Sequence, residues 1–152
     1  MAQQPTGGVY SFGDVVIAFA SPLVNPMSFS GPLGTTRIVV AMTTVRTTHD
    51  IAADGAVMVS SIKGDNGHVT IETQQTSVIH QFFTEFMNQL IAAQGNNDVT
   101  NWATATLSIR SVTTNTGHVL TGLSPTKQPD TPYAAQGEHI TWEFMAANVA
   151  NQ

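Results

Sequence analysis

HVTIETQQTSVIHQFFTEFMNQLIAAQG, residues 68–95, changes its hydrophobic period in mid-course. His68, Thr70 and Glu72 alternate with Val69 and Ile71, the period of two that marks a half-buried strand. From Ser77 to Gln94 the period is helical. Val78, Ile79, Phe82, Phe83, Phe86, Met87, Leu90 and Ile91 form one stripe, with His80, Gln81, Thr84, Glu85, Asn88 and Gln89 opposite. Thr76 or Ser77 is placed to cap the N-terminus of a helix over 77–94, and Gly95 sits where a terminating glycine belongs. Burying eight large apolar side chains, at about 1.5 to 3 kcal/mol each, makes this helix a main contributor to the core.

Upstream the chain reads as strands and turns. Residues 1–8 are polar, with Pro5 and Gly7–Gly8, and have nothing to anchor them in a core, so they predict a flexible arm or one ordered by a partner. Tyr10 to Phe19 reads as a first strand, with Gly13–Asp14 suited to a bulge. Ser21 to Gly34 holds Pro22, Pro26 and Pro32 with Gly31 and Gly34, and reads as a loop. Thr35 to Thr48 is dense in β-branched residues and reads as one strand, long enough to project beyond the body of the domain. Val57 to Lys63 follows the turn pair Asp54-Gly55, so 35–63 reads as a long hairpin. His68 to Glu72 follows Asn66-Gly67, a second hairpin signal.

Downstream, Trp102 to Val112 sets Ala103, Ala105, Leu107 and Ile109 on one strand face and Thr104, Thr106, Ser108 and Arg110 on the other. Residues 115–137 carry Pro125, Pro129 and Pro132 and read as a long loop of the kind that serves a partner or a function. Glu138 to Met145 closes the pattern, with Ile140, Trp142 and Phe144 inward and His139, Thr141 and Glu143 outward. About six strands and one helix, with no βαβ alternation, predict a single domain over 1–152. Its class is α+β, mainly β: an antiparallel β-sandwich or barrel.

Charge is the unusual part of the composition. Only 10% of the residues are charged, against about 25% in an average domain. Hydrophilicity comes instead from 21 Thr, 10 Ser, 10 Gln and 9 Asn. The net charge is −5, and Arg37, Arg46, Lys63, Arg110 and Lys127 are scattered, so tight sequence-independent nucleic-acid binding, which needs a basic patch, is not expected. The chain has no cysteine, which removes disulfides, thiolate nucleophiles and Cys-ligated metal sites. Its longest apolar run, Val15 to Ala20, is far short of the roughly 20 residues that cross a bilayer. With no basic and apolar leader at its start, the chain is read as soluble and unexported, with no membrane partner.

Catalytic chemistry finds no support in the spacing. His49 and Asp50 are neighbours, and neighbours in a strand point to opposite faces, so they do not co-ligate a metal. His68 and His118 each follow a glycine and read as solvated strand starts; His80 reads as a surface residue on the polar face of the helix. Asp65-Asn66-Gly67 lacks the later carboxylates of a calcium loop and reads as a turn. G-x-x-x-x-G-K-[ST], G-x-G-x-x-G and G-x-S-x-G are absent. Trp102 and Trp142 read as core residues of their strands. No catalytic residue, cofactor or metal is expected, and the chain is read as a non-enzyme. The remaining peculiarity is a set of weakly charged, Thr-rich strand faces with few edge lysines, which favours self-assembly.

The segment from Asp50 to Ser77, DIAADGAVMVSSIKGDNGHVTIETQQTS, followed by the amphipathic helix Val78 to Ile91, resembles the tail tube proteins of contractile-tailed bacteriophages. The likeness runs from the Tyr10 strand to the Trp142 strand. It implies a β-sandwich or barrel with one flanking helix, six copies of which form a ring with a continuous inner barrel. Stacked rings would make the inner tail tube through which DNA passes into the host, in transient and non-specific contact with the lumen. The implied partners are other copies of the chain, a tail sheath protein, a baseplate or tube initiator and a tail terminator, in a virion tail assembled in the host cytoplasm. The tip of the 35–63 hairpin matches the place where such proteins reach a neighbouring ring, which makes Arg46, His49, Asp50, Ile51, Asp54 and Gly55 the candidate stacking residues. Polar-face positions that would line the lumen are His68, Thr70, Glu72, Thr106, Ser108, Arg110, Thr141 and Glu143, with either face of the sheet still eligible. A weakly charged acidic wall would let a duplex slide without sticking. The alternatives are an Hcp-like tube of a type VI secretion system and a β-sandwich module binding sugar or peptide through the 115–137 loop and Trp102.

Overall fold

Alternation of apolar and polar residues writes most of the strands directly. The computed structural model describes residues 12–30, 35–112 and 114–151; the arm expected over 1–8 lies outside them. Among the described residues ten strands and one α-helix form: β1 Val15–Ser21, β2 Val24–Ser30, β3 Thr35–Met42, β4 Thr47–Ile51, β5 Val57–Ser61, β6 Gly67–Gln74, α1 Val78–Gly95, β7 Ala105–Ser111, β8 Thr116–Pro125, β9 His139–Ala146 and β10 Asn148–Asn151. One antiparallel sheet runs β2-β1-β7-β8-β9-β6-β3, with β10 paired to β8, and β4-β5 forms a separate two-stranded sheet. The chain is thus mainly β, antiparallel, with one helix, as expected.

Strand β8 joins the two halves of the sheet. Its residues 116–123 pair β7, while Ser124 and Pro125 pair β9. The sheet curls there. Phe19 of β1 and Phe144 of β9 are three strands apart in order, yet their rings lie 6.1 Å apart. Both meet the apolar face of α1, where Phe82, Phe83 and Phe86 lie 5.1 to 5.6 Å from Phe19. Edge-to-face contacts of this kind add to area burial and fix ring orientation. Ile79, Phe83, Phe86, Met87 and Leu90 are the buried helix residues. Val78 and Ile91, expected in the same stripe, are exposed, because they lie at its margins beyond the sheet.

The helix ends are built locally. Ser77 Oγ accepts the His80 amide at 3.1 Å, a standard N-cap. At the other end Gly95 is the last helical residue, and Asn97 takes the left-handed conformation at φ 59°. Its amide returns to Gln94 and that of Asp98 to Ala93, a Schellman closure made with asparagine where glycine had been expected.

Several strand readings change. The first strand starts at Val15, preceded by a 3-10 turn over Phe12–Asp14. Strand β2 lies inside the expected 21–34 loop and tolerates Pro26 because, among the described residues, it is paired only to β1, at the end of the strand order. The expected long strand 35–48 is two strands: β3 pairs β6 and β4 pairs β5, so 35–63 is not one hairpin. Asn66-Gly67 makes no turn, since Gly67 opens β6 opposite Met42. Trp102 and Ala103 precede β7 instead of lying within it. The expected 115–137 loop contains β8, whose alternation is broken by a register slip at Gly122, leaving only 126–138 as connection.

Candidate functional site

The β4–β5 hairpin is the first surface that calls for a partner. Asp54-Gly55 makes its turn as expected: Gly55 takes φ 88°, its amide reaches Ala52 O at 2.9 Å, and the Asp54 carboxylate accepts the Ala56 amide at 3.0 Å. Registered pairs share a face, so Thr47, His49, Ile51, Val57, Val59 and Ser61 lie on one side of the ribbon. Thr48, Asp50, Met58 and Ser60 lie on the other. Every residue of β4 is exposed, as is most of β5, and Ile51, Val57 and Val59 stand 71%, 51% and 61% accessible. A two-stranded ribbon wet on both faces is marginal by itself, and its apolar side gains stability only when covered. Of the candidate stacking residues, His49, Asp50, Ile51, Asp54 and Gly55 sit on this ribbon, with His49 and Asp50 on opposite faces. Arg46 lies at the base of the hairpin, where it forms an ion pair with Asp65. Val57 and Met58 fall within the hairpin tip, 45–58, that the resemblance marks for a neighbouring ring, and Val59, exposed beside them, continues the run.

The second surface is the outward face of the sheet. Thr70 pairs with Glu143 and Glu72 with Thr141 across β6 and β9, and His68 continues the row. Arg37 of β3 lies opposite Glu72. His139, diagonal to Glu72 on the same face, brings its Nδ1 to 3.2 Å from the Glu72 carboxylate. Thr106, Ser108 and Arg110 form a separate row on β7, facing Ala20, Ala18 and Val16 of β1. The lumen candidates are thus two rows on two halves of one sheet. Arg110 is further engaged with Asn115 Oδ1 at 2.9 Å.

The 126–138 connection lies against the outward face of β9. Thr126 N–H donates to Glu143 O, and Gln75 Nε2 to Pro132 O at 2.7 Å. Between this segment and β9 is an open cavity of about 520 Å³, whose lining includes Lys127, Asp130, Glu138, His139, Thr141 and Glu143. Trp102 borders a shallow hollow of about 390 Å³ with Gln94, Val99, Thr100 and Ala103. Among the described residues no group of three or more His, Asp or Glu is arranged to hold a metal. No helix there is long and apolar enough to cross a membrane.

His80 departs from its expected surface role. It is half-buried, and its Nδ1 accepts the Trp142 indole N–H at 3.0 Å, so it closes the only polar atom of a fully buried ring. Desolvation at the edge of the core lowers its pKa from the ordinary histidine value.

A family model described as bacteriophage PhiTE tail tube protein matches residues 8–152. No curated protein matches the chain in sequence. Among solved structures, the chain is similar to a chain of the anti-feeding prophage (AFP) baseplate, solved by cryo-EM with sixfold symmetrisation, at TM-score 0.61 and 11% identity, covering 98% of this chain and 97% of that one. It is also similar to a chain of the AFP tube terminating cap, at TM-score 0.56 and 10% identity, covering 99% and 95%. A chain of an extracellular contractile injection system, the PVC sheath-tube complex in its extended state, matches at TM-score 0.56 and 10% identity, covering 93% and 90%. At such identities the likeness is one of fold.

Proposed function

Because the chain belongs to the bacteriophage PhiTE tail tube protein family, we propose that it is a structural virion protein that stacks as hexameric rings into the inner tube of a contractile tail. Phage DNA passes through that tube into the host. The observation that carries this reading beyond family membership is the β4–β5 ribbon, whose apolar side of Ile51, Val57 and Val59 is left uncovered by the described residues of the subunit. A neighbouring ring supplies that cover. The strand order ends at β2 and β3, where adjacent copies in a ring extend the sheet and close it as a barrel. Sixfold symmetry, a sheath, a baseplate and a terminating cap all appear in the names of similar structures, which supports the same partners for this chain. The protein works without catalysis, and assembles in the host cytoplasm before joining the virion.

The lumen face in this reading is the β6–β9 row, where Thr70, Glu72, Thr141 and Glu143 are paired on one contiguous face. These hydroxyls and carboxylates, with Arg37 set opposite Glu72, leave little positive charge to hold phosphates, which favours sliding over binding. Negative-stain electron microscopy of the purified protein, beside its mass by light scattering, tests the assembly. Rings or tubes with a central channel are expected. A strict monomer that stays single even when presented with preformed tube ends would refute the proposal.

A further inference from the structure

We propose that Asp65 and Arg46 clamp the β4–β5 arm to the body of the subunit, so that the arm's direction is set before it meets another copy. The inference deepens the reading of the arm as a docking element and rests on it for its purpose. Its evidence is the junction where the arm leaves the sheet. There, four residues, 43–46, oppose five, 62–66, and the register of β4 on β5 is offset by one residue from that of β3 on β6. An offset of this kind bends and twists a ribbon. Among the described residues two main-chain bonds bridge it, Thr43 N–H to Asn66 O and Ile62 N–H to Arg46 O. A ribbon attached through so short a ladder swings unless something else holds it.

Side chains supply the rest. Thr44 Oγ1 donates to Asn66 Oδ1 at 2.8 Å, and the Arg46 guanidinium grips the Asp65 carboxylate. Asp65 also holds the opposite side, since its carbonyl accepts the Val149 amide of β10 at 2.7 Å, and β10 is paired to β8. One residue therefore ties the arm, through its side chain, to the C-terminal strand of the body, through its main chain. The strands touch here: at Gly64 a Cβ would fall 2.5 Å from Thr44 Oγ1. With the two partners 54% and 61% accessible, the ion pair adds little to global stability. Its effect is on where the arm points.

Amide hydrogen exchange on the full chain, kept unassembled at low concentration, tests the clamp in Arg46→Gln, in Asp65→Asn and in the swapped pair Arg46→Asp with Asp65→Arg. In each single variant the amides of Ile62 and of β4 and β5 are expected to exchange about two- to fivefold faster, while those of β6 to β9 and the melting temperature stay unchanged. Raising salt to about 1 M should reproduce the effect in the unaltered protein, and the swap should reverse it. Unchanged arm exchange in both single variants would overturn the clamp. So would acceleration spread evenly over the body, which would mark a general loss of stability. Sedimentation of assembled tubes is read separately: a loosened arm with normal assembly would leave the clamp standing and count against the arm as a stacking element.

Discussion

Phe19 shows how one side chain organises this molecule. It is 1% accessible and touches Phe82, Phe83 and Phe86 of the helix and Phe144 of β9. Phe19→Ala removes the ring shared by both halves of the sheet. It should cost about 3 to 5 kcal/mol, measured by urea unfolding. His80 sits at the rim of the same core and is coupled to pH. Folding lowers the pKa of its imidazole below the ordinary value, because burial disfavours the charge; the neutral ring is also the form whose Nδ1 accepts the Trp142 indole N–H. The unfolded chain takes up its proton as pH falls through about 6.5, so this contribution is complete above that window and is lost as pH drops below it. Thermal melts between pH 7.5 and 5.5 should show that decline, and His80→Gln should flatten part of it. A variant with the same pH profile as the unaltered protein would remove His80 from the explanation. Sequence alone put His80 on the polar side of the helix, correctly by periodicity. The indole it serves is 62 positions away, and no local pattern reports a contact of that range.

At the scale of elements, the helix, β6, β9 and the Asp54-Gly55 turn were legible because each carries a strong short-range signal: a clean period or an obligatory left-handed residue. Strands β2 and β8 were not, because Pro26 and the slip at Gly122 interrupt their patterns, and both form only because β1 and β7 offer partners in register. The split between β3 and β4 was hidden for the opposite reason. β-branched residues run through both, and only the pairing with β6 on one side and β5 on the other divides them. The arm made by β4 and β5 carries its own prediction. Ile51→Asp or Val59→Asp should leave subunit stability within about 0.5 kcal/mol, since both side chains are exposed. Tube formation should nonetheless fail, as read by sedimentation. Tubes that form normally from either variant would show that this apolar side is not a docking face.

For the whole molecule, the absence of native cysteine makes single-cysteine reporters clean. Thr70→Cys and Thr141→Cys, on the β6–β9 row, should react in assembled tubes with a small maleimide but not with a polymer-linked one too bulky for the channel. Thr106→Cys, on β7, should show a different pattern. Equal reactivity of all three with the bulky reagent would put the lumen elsewhere. Composition and period by themselves determined that this is a weakly charged, mainly β domain with one amphipathic helix, because such patterns act between residues a few positions apart. Tertiary structure alone decided the order of the strands, the curl at β8 that brings Phe19 to Phe144, the division of the polar positions into two rows and the pairing of Arg46 with Asp65. Those depend on which distant segments pair and in what register, and a strand's local pattern is compatible with many partners until the sheet has closed around its core.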